Sequence, residues 1–154
     1  MAQKQAREEL TTLSLDTSVL VSHLRGDRFA EETDLFLRRA MENRTQLIIS
    51  DVVYAELYTG IFLASDPKVE ESRVQSLLGI NGVEVRTSRS LKVIKRAGEL
   101  YSKRLRGRGQ AQRILPDFLI AAQAEATSDG FVTWNKEDYE GLGLRIRALR
   151  PNEV

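Results

Sequence analysis

Short apolar runs of strand length alternate with helical stretches along nearly the whole chain, and this alternation restricts the fold more than any other feature. Leu13-Ser14-Leu15-Asp16, Gln46 to Ile49, Val83 to Arg86, Gly130 to Thr133 and Leu144 to Leu149 read as strands. Between them lie helical stretches: one through Leu24, then Phe29 to Asn43, Asp51 to about Leu63, Val69 to Leu78, one opened by Ser88, and Asp117 to Ala126 after Pro116. Ser50 is placed to cap the third helix, and Asp66-Pro67 breaks the pattern after it. In the helix after Ser88, Leu91, Ile94, Gly98, Tyr101 and Leu105 step by three and four, which predicts a buried stripe. Strands separated by helices require crossover connections. The expected fold is therefore a three-layer α/β/α sandwich around a mainly parallel five-stranded sheet, with ligands beyond the carboxyl ends of its strands. The 154 residues suit one domain over 12–154, with 1–11 as a flexible N-terminal extension.

Composition removes several chemistries. There is no cysteine, so thiol nucleophiles, thiolate zinc sites and Fe–S clusters are excluded, and the single histidine, His23, excludes multi-histidine metal sites. No apolar run approaches a membrane span and Met1 to Thr12 lacks the apolar core of a secretory leader, so no membrane association and a cytoplasmic location are expected. The net charge of +1 conceals a strong asymmetry: Arg86 to Arg113 holds ten basic residues and one acid, Glu99. Such a local excess predicts a polyanionic partner, nucleic acid first among them, with Arg104, Arg106, Arg108 and Arg113 as the candidate contacts. The alternative is a solvated helix face.

Acidic residues occupy positions that composition does not explain. Asp16 ends the first strand, Asn135 and Asp138 follow the fourth, and Asp117 lies in the first turn of an otherwise nearly uncharged helix. Glu56 falls on the stripe of Val53, Leu57, Gly60 and Ile61, where a carboxylate is costly unless paired or metal-bound. Taken singly, Asp16 and Asp117 are explained by capping and the helix dipole. Gathered at one edge, two carboxylates about 4 Å apart would repel by about 4 kcal/mol at an effective dielectric of about 20. An oxygen-bound hard cation, Mg²⁺ or Mn²⁺, offsets that repulsion and suits phosphodiester chemistry. Thr17 and Ser18 can cap the first helix or bind a phosphate. Trp134 can stack on a base or pack in the core. His23, about two helical turns from Asp16, is a packed or hydrogen-bonded helix residue outside the site.

Four segments, LSLDTSVLVSHL, SDVVYAELYTGI, LPDFLIAAQA and FVTWNKEDYEGL, stand in an order that resembles the PIN-domain nucleases, in particular VapC-type toxins of toxin–antitoxin pairs. The resemblance spans Leu13 to Leu149. It implies an Mg²⁺/Mn²⁺-dependent endoribonuclease in which Asp16, Glu56 and Asp117 hold metal and orient the attacking water. At the fourth position, where the family places an acid or an asparagine, this chain has Asn135, with Asp138 three residues later either supplying a carboxylate or capping a turn. A homodimer and a cognate antitoxin whose tail enters the acidic groove are also implied, with Phe62 and Leu63 as interface candidates unless buried in the monomer. A receiver domain or a haloacid-dehalogenase phosphatase is disfavoured, because the third strand lacks its aspartate and Asp16-Thr17-Ser18 is not D-x-D. The rivals are an RNA-binding or adaptor protein with weak or no nuclease activity, and an RNA-processing nuclease without an antitoxin.

Overall fold

The computed structural model describes residues 10–87, 89–107 and 114–154. Five strands, β1 (Thr12–Leu15), β2 (Gln46–Ser50), β3 (Glu84–Arg86), β4 (Gly130–Val132) and β5 (Arg147–Leu149), form one sheet in the order β3-β2-β1-β4-β5. Every pairing is parallel. Six helices connect and cover them: α1 (Thr17–Arg25), α2 (Ala30–Glu42), α3 (Asp51–Leu63), α4 (Pro67–Ile80), α5 (Leu91–Arg106) and α6 (Leu115–Thr127). The α/β/α class expected from the alternation is the one found.

An all-parallel sheet must be apolar on both faces, and the central strands are: Leu13, Leu15, Leu47, Ile48, Ile49, Phe131 and Val132 are all buried. Gly130 pairs with Leu13, and a Cβ built on it would stand 2.9 Å from Leu13 Cδ2. A side chain there would push β1 and β4 apart, so the glycine answers a close approach. The alanines of α6 act in the same sense: Ala121, Ala122 and Ala124 are buried beside Phe118 and Ile120, letting the helix lie close on the sheet.

Several boundaries differ from the sequence expectation for identifiable reasons. Asp66-Pro67 is a helix start: the Asp66 carboxylate accepts the Val69 N–H (3.2 Å), Pro67 takes the first turn, and α4 runs to Ile80. Ser90, not Ser88, caps α5, accepting the Val93 N–H at 3.3 Å; Ser88 itself lies outside the described residues. The fifth strand shrinks to Arg147–Leu149, the three residues that pair with the three of β4, Gly130–Val132. On α5 the predicted stripe faces outward, with Leu91, Ile94 and Leu105 exposed, while Ala97 and Leu100 enter the core. Burial follows Ala97 and Leu100 because α5 pairs antiparallel with α6, where Tyr101 stacks on Phe118 (centroids 5.4 Å) and Arg96 meets Glu125. Phe62 and Leu63 are 72% and 82% exposed, so burial within the monomer does not account for them.

The Arg96–Glu125 pair fixes the outer layer. Arg96 Nε and Nη2 donate to the two Glu125 oxygens at 2.9 and 3.2 Å, and the Arg145 N–H adds a third bond at 2.9 Å. Burial pushes the Glu125 carboxyl up, but Arg96 and Arg145 outweigh it and hold the group below the usual carboxylate range. Asp129 is likewise held low by the Thr11 hydroxyl and the Thr12 and Thr11 N–H groups, tying the entry to β1 to the turn before β4. A carboxyl with a depressed folded-state pKa stabilises the protein above its unfolded pKa of about 4, and that contribution is lost as pH falls through the folded value. The urea midpoint should therefore fall as pH is lowered from about 5 to about 3, with a smaller fall in Glu125→Gln; a midpoint level across that range contradicts this assignment.

Candidate active site

The strand register decides what meets at the carboxyl edge of the sheet. Leu15 pairs with Val132 and Ser14 with Ile48, so the residues after β1 and β4, Asp16 and Thr133, emerge side by side, with Ser50 and α3 beginning next to them. Helix α6 returns the chain to the start of β4 at the opposite edge. Its 13 residues span about 20 Å at 1.5 Å per residue, which carries its first turn and Asp117 back to the carboxyl edge. Because α5 runs antiparallel to α6, the C-terminal turn of α5 arrives there as well.

Asp16 stands at the N-cap position of α1, yet its carboxylate makes no cap bond to the helix. It is 3% exposed, and its Oδ2 accepts the Ser18 hydroxyl and the Thr133 hydroxyl, each at 2.8 Å. Each hydroxyl is itself fixed by an N–H donor: Trp134 N–H donates to Ser18 Oγ (3.1 Å), and Asn135 N–H to Thr133 Oγ1 (3.0 Å). Two donors on one oxygen offset the cost of burying the carboxylate and set its orientation. The Asp16 N–H donates to the Val132 carbonyl at 2.9 Å, closing the junction between β1 and β4.

Glu56 lies in the second turn of α3 and is half-buried; Val53, Leu57 and Ile61 of its expected stripe are buried, whereas Gly60 is exposed. Its Oε2 accepts the Thr17 hydroxyl, so the first turn of α1 holds Asp16 through Ser18 and Glu56 through Thr17. These two hydroxyls, read from sequence as capping or phosphate-binding groups, position carboxylates; the signal was their adjacency to Asp16. A groove of about 380 Å³ between α1, α3 and α4 opens at Thr17 and Glu56 and extends to Arg25, Glu70 and Val74.

Asp117 is half-buried at the third position of α6, where it accepts the Ile114 N–H at 3.0 Å, the bond its first-turn position favours. Asn135 and Asp138 flank the same edge, Asn135 opening a one-turn 3₁₀ helix (Lys136–Tyr139) and Asp138 lying within it. Trp134 is a packing residue: its ring stacks on Phe29 (centroids 4.3 Å, 14° between planes), its indole N–H donates to Thr33 Oγ1 at 3.0 Å, and the side chain is buried rather than open to a base. His23 pairs with Asp34 on the outer surface of α1 and α2, apart from the acids.

The donors suit a hard divalent cation in kind, because Asp16, Glu56 and Asp117 supply oxygen alone and share one edge. As the side chains stand, no group of three or more His, Asp or Glu among the described residues is drawn together closely enough to hold a metal. What the structure links is Asp16 and Glu56, through the adjacent hydroxyls of Ser18 and Thr17.

The basic segment is more heavily paired than its sequence count implies. Arg86 meets Glu84 (3.2 Å), Arg89 meets Asp51 (2.9 Å), Arg96 meets Glu125 (2.9 Å) and Lys103 meets Glu99 (3.3 Å). Arg104 is part-buried, its Nη2 donating to the Asp138 carbonyl, so it is not an exposed cation awaiting a ligand. Arg106 is exposed at the end of α5. Arg108 and Arg113 lie outside the described residues.

The PIN-domain family profile matches residues 13–140. No curated protein sequence matches the chain. Among solved structures, the fold is similar to a chain of VapBC2 from Rickettsia felis bound to a promoter DNA fragment, with a TM-score of 0.71, 22% identity and coverage of 88% of this chain and 96% of that one. It is similar too to VapBC-1 of nontypeable Haemophilus influenzae (TM-score 0.68, 16% identity, 91% and 98% covered) and to DNA-bound VapBC of Salmonella typhimurium (TM-score 0.68, 19% identity, 92% and 99% covered). At these identities the likeness concerns the fold. Among the described residues, no helix is long and apolar enough to cross a membrane.

Replacing Thr133 with valine keeps the volume and removes one donor from the buried Asp16. The variant should lose about 1–3 kcal/mol of stability in urea denaturation, the usual cost of leaving a buried polar group short of a partner; an unchanged midpoint contradicts the proposed support of Asp16.

Proposed function

The chain belongs to the PIN-domain family, and on that footing we propose that it is a divalent-metal-dependent endoribonuclease acting as the toxin of a toxin–antitoxin pair. The observation that carries this reading is the Asp16–Glu56 arrangement: two carboxylates from different elements, both held by hydroxyls of one helical turn at the carboxyl edge of a parallel sheet. Asp16, Glu56 and Asp117 would hold Mg²⁺, or Mn²⁺ in its place. When bound, such a cation supplies a Lewis acid for the scissile phosphodiester and lowers the pKa of water.

The protein's own groups do the rest. Thr17, Ser18 and Thr133 fix the acids before substrate arrives, so their orientation costs nothing during turnover. Glu56, less buried than Asp16, borders the groove through which water and RNA reach the edge. Asn135 serves the fourth position as a neutral donor and acceptor, and Asp138 adds a carboxylate beside it. Arg106, exposed at the end of α5, contacts RNA phosphates, with Arg108 and Arg113 continuing the same basic run.

The toxin role is supported by the likeness to the VapBC chains and by Phe62 and Leu63, which leave an apolar surface at the end of α3 for a second copy or an antitoxin. A second reading, an RNA-binding adaptor with little turnover, is favoured by Asn135 in place of a fourth acid and by the lack, among the described residues, of three acids gathered closely enough to hold a metal.

Cleavage of a mixed pool of structured and single-stranded RNA by the purified protein separates the two. Cuts should appear with Mg²⁺ or Mn²⁺ and vanish with EDTA. Asp117→Asn should retain its circular dichroism spectrum and lose more than the roughly 10–100-fold that outer-shell changes cost at metal sites, whereas Asp138→Asn should be mild. Binding without metal-dependent cleavage establishes the adaptor instead.

A further inference from the structure

Three cations of α5 donate to backbone carbonyls of a single segment. Arg96 Nη2 donates to the Gly143 carbonyl (2.9 Å), Lys103 Nζ to the Leu142 carbonyl (3.4 Å) and Arg104 Nη2 to the Asp138 carbonyl. The segment they hold, 138–143, begins three residues after Asn135 and contains Asp138. It has little regular structure: one turn of 3₁₀ helix ends at Tyr139, and Gly141 and Gly143 take φ of +74° and +73°. A stretch with so few ladder hydrogen bonds must satisfy its carbonyls elsewhere, and a charged donor forms a stronger bond than a neutral one.

The spacing suits this task. Arg96, Lys103 and Arg104 lie seven and eight residues apart, two helical turns, and therefore share one flank of α5. Arg96 and Lys103 are further anchored by Glu99, at 2.9 and 3.3 Å. Arg104 is the member that touches the part of the segment bearing Asp138. Its Nε is buried without a hydrogen-bond partner among the described residues, and its Nη2 is the group that reaches that carbonyl.

We propose that Arg104, assisted by Lys103 and Arg96, is a positioning residue that clamps the 138–143 segment and so fixes Asn135 and Asp138 at the edge where RNA is cut. The role in catalysis rests on the nuclease reading; the clamp itself does not. A guanidinium that contacts RNA phosphate instead contributes to binding, so its loss raises KM and makes the salt dependence shallower by about 0.7 in log–log slope per single-stranded contact.

The test pairs steady-state cleavage with amide hydrogen exchange on the full chain, comparing wild type with Arg104→Met, Arg104→Lys and the exposed-lysine control Lys95→Gln. Arg104→Met should lower kcat by about 10–100-fold, the scale expected when site groups shift by about an ångström, with KM and salt slope unchanged. Exchange at residues 136–143 should quicken in this variant. Arg104→Lys, which still reaches a carbonyl, should recover most of both losses, and Lys95→Gln should alter neither kcat nor exchange. Higher KM with a shallower salt slope and unaltered exchange would overturn the clamp in favour of an RNA contact, as would no change at all. If Arg104→Met does not fold, Lys103→Met provides the same exchange readout at Leu142 and Gly143. If the wild type cuts no RNA, the nuclease reading fails, and faster exchange in the variants still decides whether the clamp exists.

Discussion

Asp16 is a carboxylate buried at the end of an apolar strand, and it would be untenable there without donors aimed at it. Ser18 supplies one from the next turn of the chain, and Thr133 supplies another from the position just after β4, 117 residues away in sequence. The bond from Thr133 therefore joins the first strand to the fourth at the edge where the site lies. Further links extend from it: Trp134 N–H fixes Ser18, the Trp134 indole reaches Thr33 and stacks on Phe29, and α2 is thereby tied to the site. The same short stretch, Asp16 to Ser18, orients Glu56 of α3 through Thr17. One turn of helix thus couples the sheet, α2 and α3 to two acids.

Charge is distributed by a similar economy. The ten cations between Arg86 and Arg113 look from sequence like a surface for a polyanion. In the fold, Arg86, Arg89, Arg96 and Lys103 face carboxylates, and Arg96, Lys103 and Arg104 also bind carbonyls. Asp51 and Glu125, which neutralise Arg89 and Arg96, come from α3 and α6, and a count along the chain cannot register them. What the segment stabilises first is its own domain, by joining α5 to α6 and to the segment after the 3₁₀ turn.

The alternation of apolar runs made the layered class and nearly every element legible, because the buried parallel strands and the helix periods leave distinct marks. Asp16, Glu56 and Asp117 were legible as acids out of place, and the topology brings all three to one edge. Other features depended on tertiary contacts. The outward turn of Leu91, Ile94 and Leu105 was set by packing against α6, since α5 has apolar residues on two flanks and periodicity cannot choose between them. Asp66-Pro67 was ambiguous because the same dipeptide ends one helix and opens another. Thr17 and Ser18 had a local explanation as caps that the distant partners Glu56, Thr133 and Trp134 displaced. Trp134, read as either a stacking platform or core, is settled by Phe29 and Thr33 from α2 and its approach.

Asp16 and Glu56, with Asp117, are the proposed binding site of a divalent cation. Calorimetric titration of the purified protein with Mn²⁺, beside an Asp16→Asn variant, examines that site without any substrate. Saturable binding by the wild type, lost or much weakened in Asp16→Asn, is the predicted result. No binding by the folded wild type, or equal affinity in the variant, would contradict the account.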